Sequence, residues 1–166
     1  MTEQFEQFIE RWTHPDYRPE PTPAADLDSV EAEFGTLFPA SYRAFLEKFG
    51  PVGTTAALLD LIVERELDLS DVSEFYEPDG IKSQTLGWRD LGLPAEFVAF
   101  AGDCQGNLFC FSLAPSTDGR RPADTSVWYF DHDDAEITNL NVDFTQWVVK
   151  FGKLGNRNWW RRLLGT

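Results

Sequence analysis

The sequence predicts an α+β fold with N-terminal helices, a central antiparallel sheet and a closing C-terminal helix. Three observations predict it. Apolar residues follow a helical period through the first 50 residues, short runs rich in Phe, Val, Tyr and Trp follow after residue 95, and a helical period returns near residue 144. Helices, then strands, then a closing helix is an order typical of α+β domains. The 166 residues suit a single core, so we expect one domain over 1–166.

Three amphipathic helices are predicted before residue 50. Thr22 is the predicted N-cap of the second helix, with Pro23 at its first helical position. Pro39 opens the third helix, and Gly50 and Pro51 close it. The apolar positions of the three helices are, in order, Phe5, Phe8, Ile9 and Trp12; Leu27, Val30 and Phe34; and Tyr42, Phe45, Leu46 and Phe49.

The middle of the chain changes period. Residues 56–63, AALLDLIV, read as a strand, with a short buried helix as the alternative. Residues 70–77 are too polar and irregular to assign. Three strands are then predicted in EFVAFA, NLFCFSL and SVWYF, and Gly102 and Gly106 bracket the connection that should make the first two a hairpin. Residues 114–125, rich in Pro, Gly and Asp, predict a flexible surface loop.

The closing helix is predicted behind a capping box formed by Asp143 and Gln146. A basic aromatic tail, 153–166, follows it. We expect its paired tryptophans to pack on the domain and its arginines to offset the negative field of the rest. Contact with a membrane surface or with nucleic acid is the alternative.

The charge of the chain is strongly acidic. The whole sequence has 14 basic and 28 acidic residues, and before Lys150 there are nine basic and 28 acidic residues, a net charge of −19. Such a surface repels nucleic acid and anionic membranes and favours a basic partner. No apolar run approaches the roughly 20 residues that span a bilayer, and the acidic N-terminus is not a signal peptide. We therefore expect a cytoplasmic protein without nucleic-acid or membrane partners.

The two cysteines fit a reducing compartment. Cys104 and Cys110 lack a second cysteine pair that would build a zinc site, and we expect both to be reduced thiols. Cys104 should be exposed in the predicted hairpin connection, whereas Cys110 should be buried within a strand.

The segment 60–80, called the acidic belt below, is the preferred candidate surface for a basic partner. Phe75 and Tyr76 would be aromatic anchors inside its charged rim. A merely solvated face is the alternative. The acids of the belt are Asp60, Glu64, Glu66, Asp68, Asp71, Glu74, Glu77 and Asp79, set against Arg65 alone.

Two further acidic features are candidates for partner contact. Asp131, His132, Asp133 and Asp134 end a predicted strand. A turn held by Asp side chains is the first interpretation, ahead of partner contact and of metal or acid–base chemistry. Adjacent residues of a strand point apart and rarely converge on one ion. Asp103 lies between glycines, where bonds to nearby backbone or a partner contact are both open.

Three stretches resemble conserved parts of the SUKH superfamily, which contains Smi/Knr-type domains. LFPASYRAFLEKFGPVG resembles its N-terminal signature, FVAFAGDCQGNLFCFSL its central hairpin, and VWYFDHDDAEITNLNVDFTQWVVKF its C-terminal part. Together they cover roughly residues 25–152. The family's helix usually ends in Asn-Gly-Gly, where this chain has Gly50, Pro51, Val52 and Gly53, and residues 54–90 match nothing.

The resemblance implies an α+β binding domain without catalytic residues, metal or cofactor. Bacterial members are mostly immunity proteins that neutralise toxins, often nucleases, from neighbouring cells. We therefore expect a cytoplasmic immunity protein, more readily a monomer than a dimer, that binds a basic cognate toxin domain. An intracellular adaptor of the same fold is the first alternative. A metal-dependent enzyme that uses Asp131, His132 and Asp133 is the second.

Overall fold

A computed structural model describes residues 2–113 and 120–154 of the protein. Within them the elements follow the predicted order of helices, sheet and closing helix, which confirms the α+β class. The elements are α1 (Thr2–Trp12), α2 (Ala24–Phe34), α3 (Ala40–Phe49), α4 (Ala56–Glu64), β1 (Glu74–Phe75), α5 (Pro78–Arg89), β2 (Phe97–Gly102), β3 (Leu108–Ser112), β4 (Ser126–Asp131), β5 (Glu136–Asp143) and α6 (Phe144–Lys153).

The sheet is antiparallel throughout, and its strand order β1-β2-β3-β4-β5 follows the sequence. The predicted β2–β3 hairpin is confirmed: Ala99 faces Cys110 across it. Phe109 then faces Tyr129 on β4, and Tyr129 faces Thr138 on β5. This register brings the β2–β3 turn and the β4–β5 turn to the same end of the sheet.

An aromatic core covers one face of the sheet. Phe100 and Phe111 stack with ring centroids 4.1 Å apart, and Trp147 of α6 lies 4.6 Å from Phe109. The indole Nε1 of Trp12 in α1 donates to the backbone oxygen of Phe151 in α6 over 2.8 Å, which ties those two helices together. The predicted apolar faces of the first three helices are confirmed: their side chains are buried, apart from Phe34 and Phe49, which are partly buried.

Helix α5 packs on the other face of the sheet. The hydroxyl of Thr85 accepts a hydrogen bond from the backbone N–H of Ala99 over 3.0 Å. The ring of Trp88 lies 6.1 Å from that of Phe130. Helix α5 was not predicted, because two glycines and several polar residues leave few apolar positions to reveal its period.

The termini of two helices test the predicted caps. Helix α2 begins at Ala24 with Pro23 as its N-cap, so the predicted Thr22 cap is wrong by one residue. Thr22 is instead buried, and its hydroxyl has no hydrogen-bond partner. Helix α3 lies between Pro39 and Gly50 as predicted. Gly50 has φ +78° and lies so close to the backbone of Glu20 that a Cβ would collide with it, which requires glycine here.

Residues 56–63 belong to a helix, so the interpretation of this segment as a strand is wrong and its alternative is right. Leu58 and Ile62, four residues apart, are the buried side chains of α4. A run with so few polar residues shows no clear period, and its Ala and Leu content favours a helix. Strand β5 was also missed, since its polar sequence EITNLNVD has no apolar run.

The second half of the predicted surface loop is fixed to the domain. Residues 114–119 lie outside the described residues, but 120–125 form several bonds, which contradicts a flexible loop there. Arg121 forms an ion pair with the buried Glu31 of α2. The carboxylate of Asp124 accepts hydrogen bonds from the backbone N–H groups of Phe144 and Thr145 at the start of α6.

The capping box of α6 is confirmed. Asp143 accepts from the N–H of Gln146 over 2.7 Å, and the Gln146 side chain accepts from the N–H of Asp143 over 3.2 Å. Both cysteines are free thiols, Cys104 exposed and Cys110 buried, as predicted. No helix in the described part of the chain has the length and apolar character needed to cross a membrane. The predicted packing of the tail falls on 155–166, outside the described residues.

Candidate functional site

The outer face of α4 combines an exposed apolar side chain with carboxylates. Val63 and Glu64 follow Asp60 by one helical turn, and all three are exposed, Val63 to 66%. Leu58 and Ile62 on the opposite side are buried and hold the helix in place. An apolar centre inside a charged rim is the arrangement in which a partner gains most from excluding water.

The chain leaves α4 through a tight turn that presents two more acids. Glu66 has a left-handed backbone (φ +49°), and both Glu66 and Asp68 are exposed. Leu67 and Leu69, between and after them, pack against the core, which fixes the backbone that carries the acids. The turn therefore extends the acidic outer face of α4.

Several predicted contact residues are buried. Phe75 is 3% exposed and packs against Phe8 and Trp147, and Tyr76 is buried beside it. Burial, and secondarily the charge of Glu74, raises the pKa of the Tyr76 hydroxyl above its usual value. Their prediction as exposed anchors is wrong, because Phe75 lies in the aromatic core and the Tyr76 side chain packs against Gly80 of α5 and Gly102 of β2.

Glu74 itself is exposed, beside a cavity of about 360 Å³ between β1 and α5. Glu77 and Gln84 also line that cavity. Asp71 is buried, and its Oδ1 accepts a hydrogen bond from the backbone N–H of Cys104 over 3.3 Å. Asp71 therefore serves to attach the acidic belt to the β2–β3 turn.

Asp103 is the centre of that turn. It is buried, and its Oδ1 accepts from the N–H groups of Gln105 and Asn107, both over 2.9 Å. Its Oδ2 accepts from Asn107 Nδ2 over 2.9 Å and from the Tyr129 hydroxyl over 2.8 Å. Burial, and then the bond to Asp103, raises the pKa of Tyr129 to about 12, against an opposing bond to Ser70. The expectation that Asp103 bonds to nearby backbone is confirmed.

His132 is held by the same network. Because Asn107 Nδ2 donates to Asp103, its Oδ1 faces His132 and accepts from the backbone N–H over 3.1 Å and from the ring Nδ1 over 2.8 Å. The Nδ1 atom must therefore carry a proton. The Nε2 atom lies 3.4 Å from Asp133 Oδ1. These contacts orient the imidazole as a structural link between two turns.

The acids beside His132 form the turn that the sequence predicted. Asp131 Oδ1 accepts a hydrogen bond from the backbone N–H of Asp133 over 3.0 Å. Asp131 is half-buried, whereas Asp133 and Asp134 are exposed. Among residues 2–113 and 120–154, no three His, Cys, Asp or Glu side chains are grouped closely enough to hold a metal ion.

Two acidic segments that are far apart in the sequence thus meet at one end of the sheet. Asp71 attaches the belt to the β2–β3 turn, and Asn107 attaches that turn to His132. Two ion pairs with a buried carboxylate join Glu31 to Arg43 and Arg121. The exposed acids of the belt are Asp60, Glu64, Glu66, Asp68, Glu74, Glu77 and Asp79, and those of the β4–β5 turn are Asp133 and Asp134.

Sequence reasoning missed Val63 and a second cavity. In a strand, Val63 would lie on the face opposite Asp60 and Glu64, whereas a helical period places all three together. That second cavity, of about 270 Å³, is lined by Asp68, Leu69, Ser70, Phe109, Tyr129, Leu140, Trp147 and Lys150. These residues come from five parts of the chain, and no local pattern indicates that they meet.

Comparison with known proteins adds one finding. The model of the SMI1 / KNR4 family (SUKH-1) matches residues 21–150, most of the chain. This range contains the acidic belt, both turns and all but the end of α6. No curated protein matches the chain.

Proposed function

Since the chain belongs to the SMI1 / KNR4 family (SUKH-1), a family known in immunity proteins, we propose that it binds and neutralises a cognate toxin domain. The partner is a basic protein, for which a nuclease is the leading candidate. The protein acts in the cytoplasm by stoichiometric binding, as a single-domain monomer, without a cofactor or a catalytic step. Its acids occupy the basic groove that the toxin uses for phosphates.

The observation that carries the proposal is the exposed acidic face of α4 with Val63 at its centre. Val63 is exposed on a helix that the core holds rigidly. Four acids lie around it or in the turn that follows the helix: Asp60, Glu64, Glu66 and Asp68. Rigid presentation reduces the entropy lost on binding. The carboxylates attract a basic partner over long range, and Val63 supplies area from which water is excluded.

Because the carboxylates attract the partner and Val63 supplies the apolar contact, the response of binding to salt can be predicted. Charges at the rim mainly accelerate association, so raising ionic strength should lower the on-rate and change the off-rate little. An on-rate insensitive to salt would remove the electrostatic part of the mechanism while leaving inhibition itself standing.

The proposal is tested by rescue. The polypeptide encoded beside this gene is expressed in a susceptible host with and without this protein, and survival is counted. Specific rescue, with co-purification of the two chains in equal amounts, is the expected result. A toxic neighbour that this protein neither binds nor neutralises would refute the proposal and favour the adaptor alternative.

The binding face is tested by charge reversal with a matched control. Asp60→Lys with Glu64→Lys changes the net charge by +4 on the outer face of α4. Asp90→Lys with Glu96→Lys makes the same change at exposed positions beyond the end of α5. If α4 carries the contact, the first pair slows association at least tenfold more than the second. Equal slowing by both pairs would mean that only net charge matters.

A further inference from the structure

The cavity of about 270 Å³ lies between the acidic belt, strands β3 to β5 and helix α6. Leu69 of the belt, Phe109 of β3, Leu140 of β5 and Trp147 of α6 provide its apolar walls. Binding pockets for small molecules have volumes of roughly 300–1,000 Å³. This cavity is smaller, and its size suits one side chain of a protein partner.

The charges around the cavity cancel, unlike those of the rest of the region. Asp68 and Lys150 are its charged residues, one of each sign. A charged occupant would be attracted by one and repelled by the other. In a protein of net charge −14, this is therefore a place that selects a neutral, apolar group.

The polar atoms of the two aromatic residues Tyr129 and Trp147 do not call for a polar occupant. The Tyr129 hydroxyl already donates to Asp103. The Trp147 side chain is 1% exposed and its indole Nε1 is buried, so an occupant of the cavity does not reach that N–H. The walls therefore favour an apolar side chain.

From these observations we infer that this cavity receives one large aliphatic side chain of the partner protein. It is the apolar anchor of the interface, next to the acidic surface that steers the partner in. The inference rests on the proposed function for the identity of the partner, but the cavity can be tested without that partner.

The first test uses N-acetyl-leucine N-methylamide as the probe on the full-length protein. The six tryptophans give six indole N–H resonances, and Trp147→Phe identifies the one to follow. We expect a saturable shift of that resonance with the leucine probe and none with N-acetyl-glycine N-methylamide. No shift, or the same shift with both probes, would overturn the inference.

Variants of Leu140 link the cavity to the partner. Leu140→Trp fills the cavity and should abolish the probe shift, and Leu140→Ala widens it and should weaken the probe severalfold. The control is Leu86→Trp, at an exposed position of α5 outside the lining. Thermal unfolding of each variant shows that its fold is retained.

The partner assay separates the two proposals. With the toxic neighbour in hand, Leu140→Trp should weaken binding at least about thirtyfold, the loss expected of a hot-spot residue, while Leu86→Trp should not. Undiminished binding by both Leu140 variants would overturn the anchor and leave the proposed function intact. Failure of the wild-type protein to rescue would instead refute the proposed function, while the probe experiment still decides on the cavity.

Discussion

Glu31 offers the sharpest test of how the described half of the 114–125 segment is held. Its carboxylate is 5% exposed and accepts from the N–H of Phe38 over 2.8 Å, from Arg43 Nη1 over 2.9 Å and from Arg121 Nη2 over 2.9 Å. Glu31→Gln replaces one acceptor oxygen by an NH₂ group that faces a guanidinium. Arg43 keeps its pairs with Asp28 and Glu47, but Arg121 loses the carboxylate with which it forms its ion pair.

The magnitude follows from burial. Removing one partner of a buried ion pair costs roughly 3–5 kcal/mol. Because the Arg121 side chain is 27% exposed and can turn toward water, we expect the lower end, about 3 kcal/mol of unfolding free energy. For a chain of this size that lowers Tm by roughly 6–12 °C. Glu47→Gln is the control: it removes an exposed i,i+4 pair worth about 0.3–0.5 kcal/mol.

The assay is urea unfolding monitored by tryptophan fluorescence. The dependence of the unfolding free energy on urea concentration must be the same for all variants. A local readout is trypsin cleavage between Arg120 and Arg121, which should accelerate in Glu31→Gln because Arg121 loses the ion pair that holds this end of the segment. If Glu31→Gln costs no more than Glu47→Gln, the network is screened by solvent and the argument from burial is refuted.

Three further outcomes are expected. Asp124→Ala removes three hydrogen bonds at the start of α6, two from backbone N–H groups and one from the Thr145 hydroxyl. It should lower the unfolding free energy, measured by urea titration, by about 2 kcal/mol. Asp124→Asn should have an intermediate effect. The unfolding free energy should fall as pH rises from 10 towards 12. The pKa of Tyr129 is about 12 in the folded state, so its hydroxyl stays protonated there while the same hydroxyl ionises in the unfolded chain. Tyr129→Phe should lose less stability over that pH range, and an equal loss would contradict this reasoning. Burial, and then Asp71, raises the pKa of Cys104 to about 11, so iodoacetamide at pH 8 should alkylate it about a hundredfold more slowly than a thiol of pKa 9. Asp71→Asn should accelerate that alkylation, as mass spectrometry of the labelled protein will show.

Elements with a strong apolar period were predicted correctly, and elements without one were not. In α1, Phe5, Phe8 and Trp12 leave only one way for the helix to face a core. In α5, the buried positions are Ile81 and Thr85, too few for a pattern. Among the described residues β5 is an edge strand of the sheet, and edge strands tolerate polar residues.

In the candidate site, too, properties with a local signal were predicted correctly and properties without one were not. The acidic character of the 60–80 segment is a matter of composition, and Asp60, Glu64 and Asp68 are indeed exposed. Burial of Phe75 and Asp103 could not be inferred, because it depends on partners as distant as Trp147 and Tyr129. The exposed position of Val63 follows only once α4 is known to be a helix.

The sequence by itself determined the fold class, the faces that the first helices bury and the sign of the surface charge. These properties depend on composition and on spacing over a few residues. Only the tertiary structure decided which acids a partner can reach, that Asn107 and His132 connect two turns, and that Leu140 and Trp147 share a cavity with Lys150. Exposure and cavities arise from contacts between residues distant in the chain, and such contacts leave no local signature.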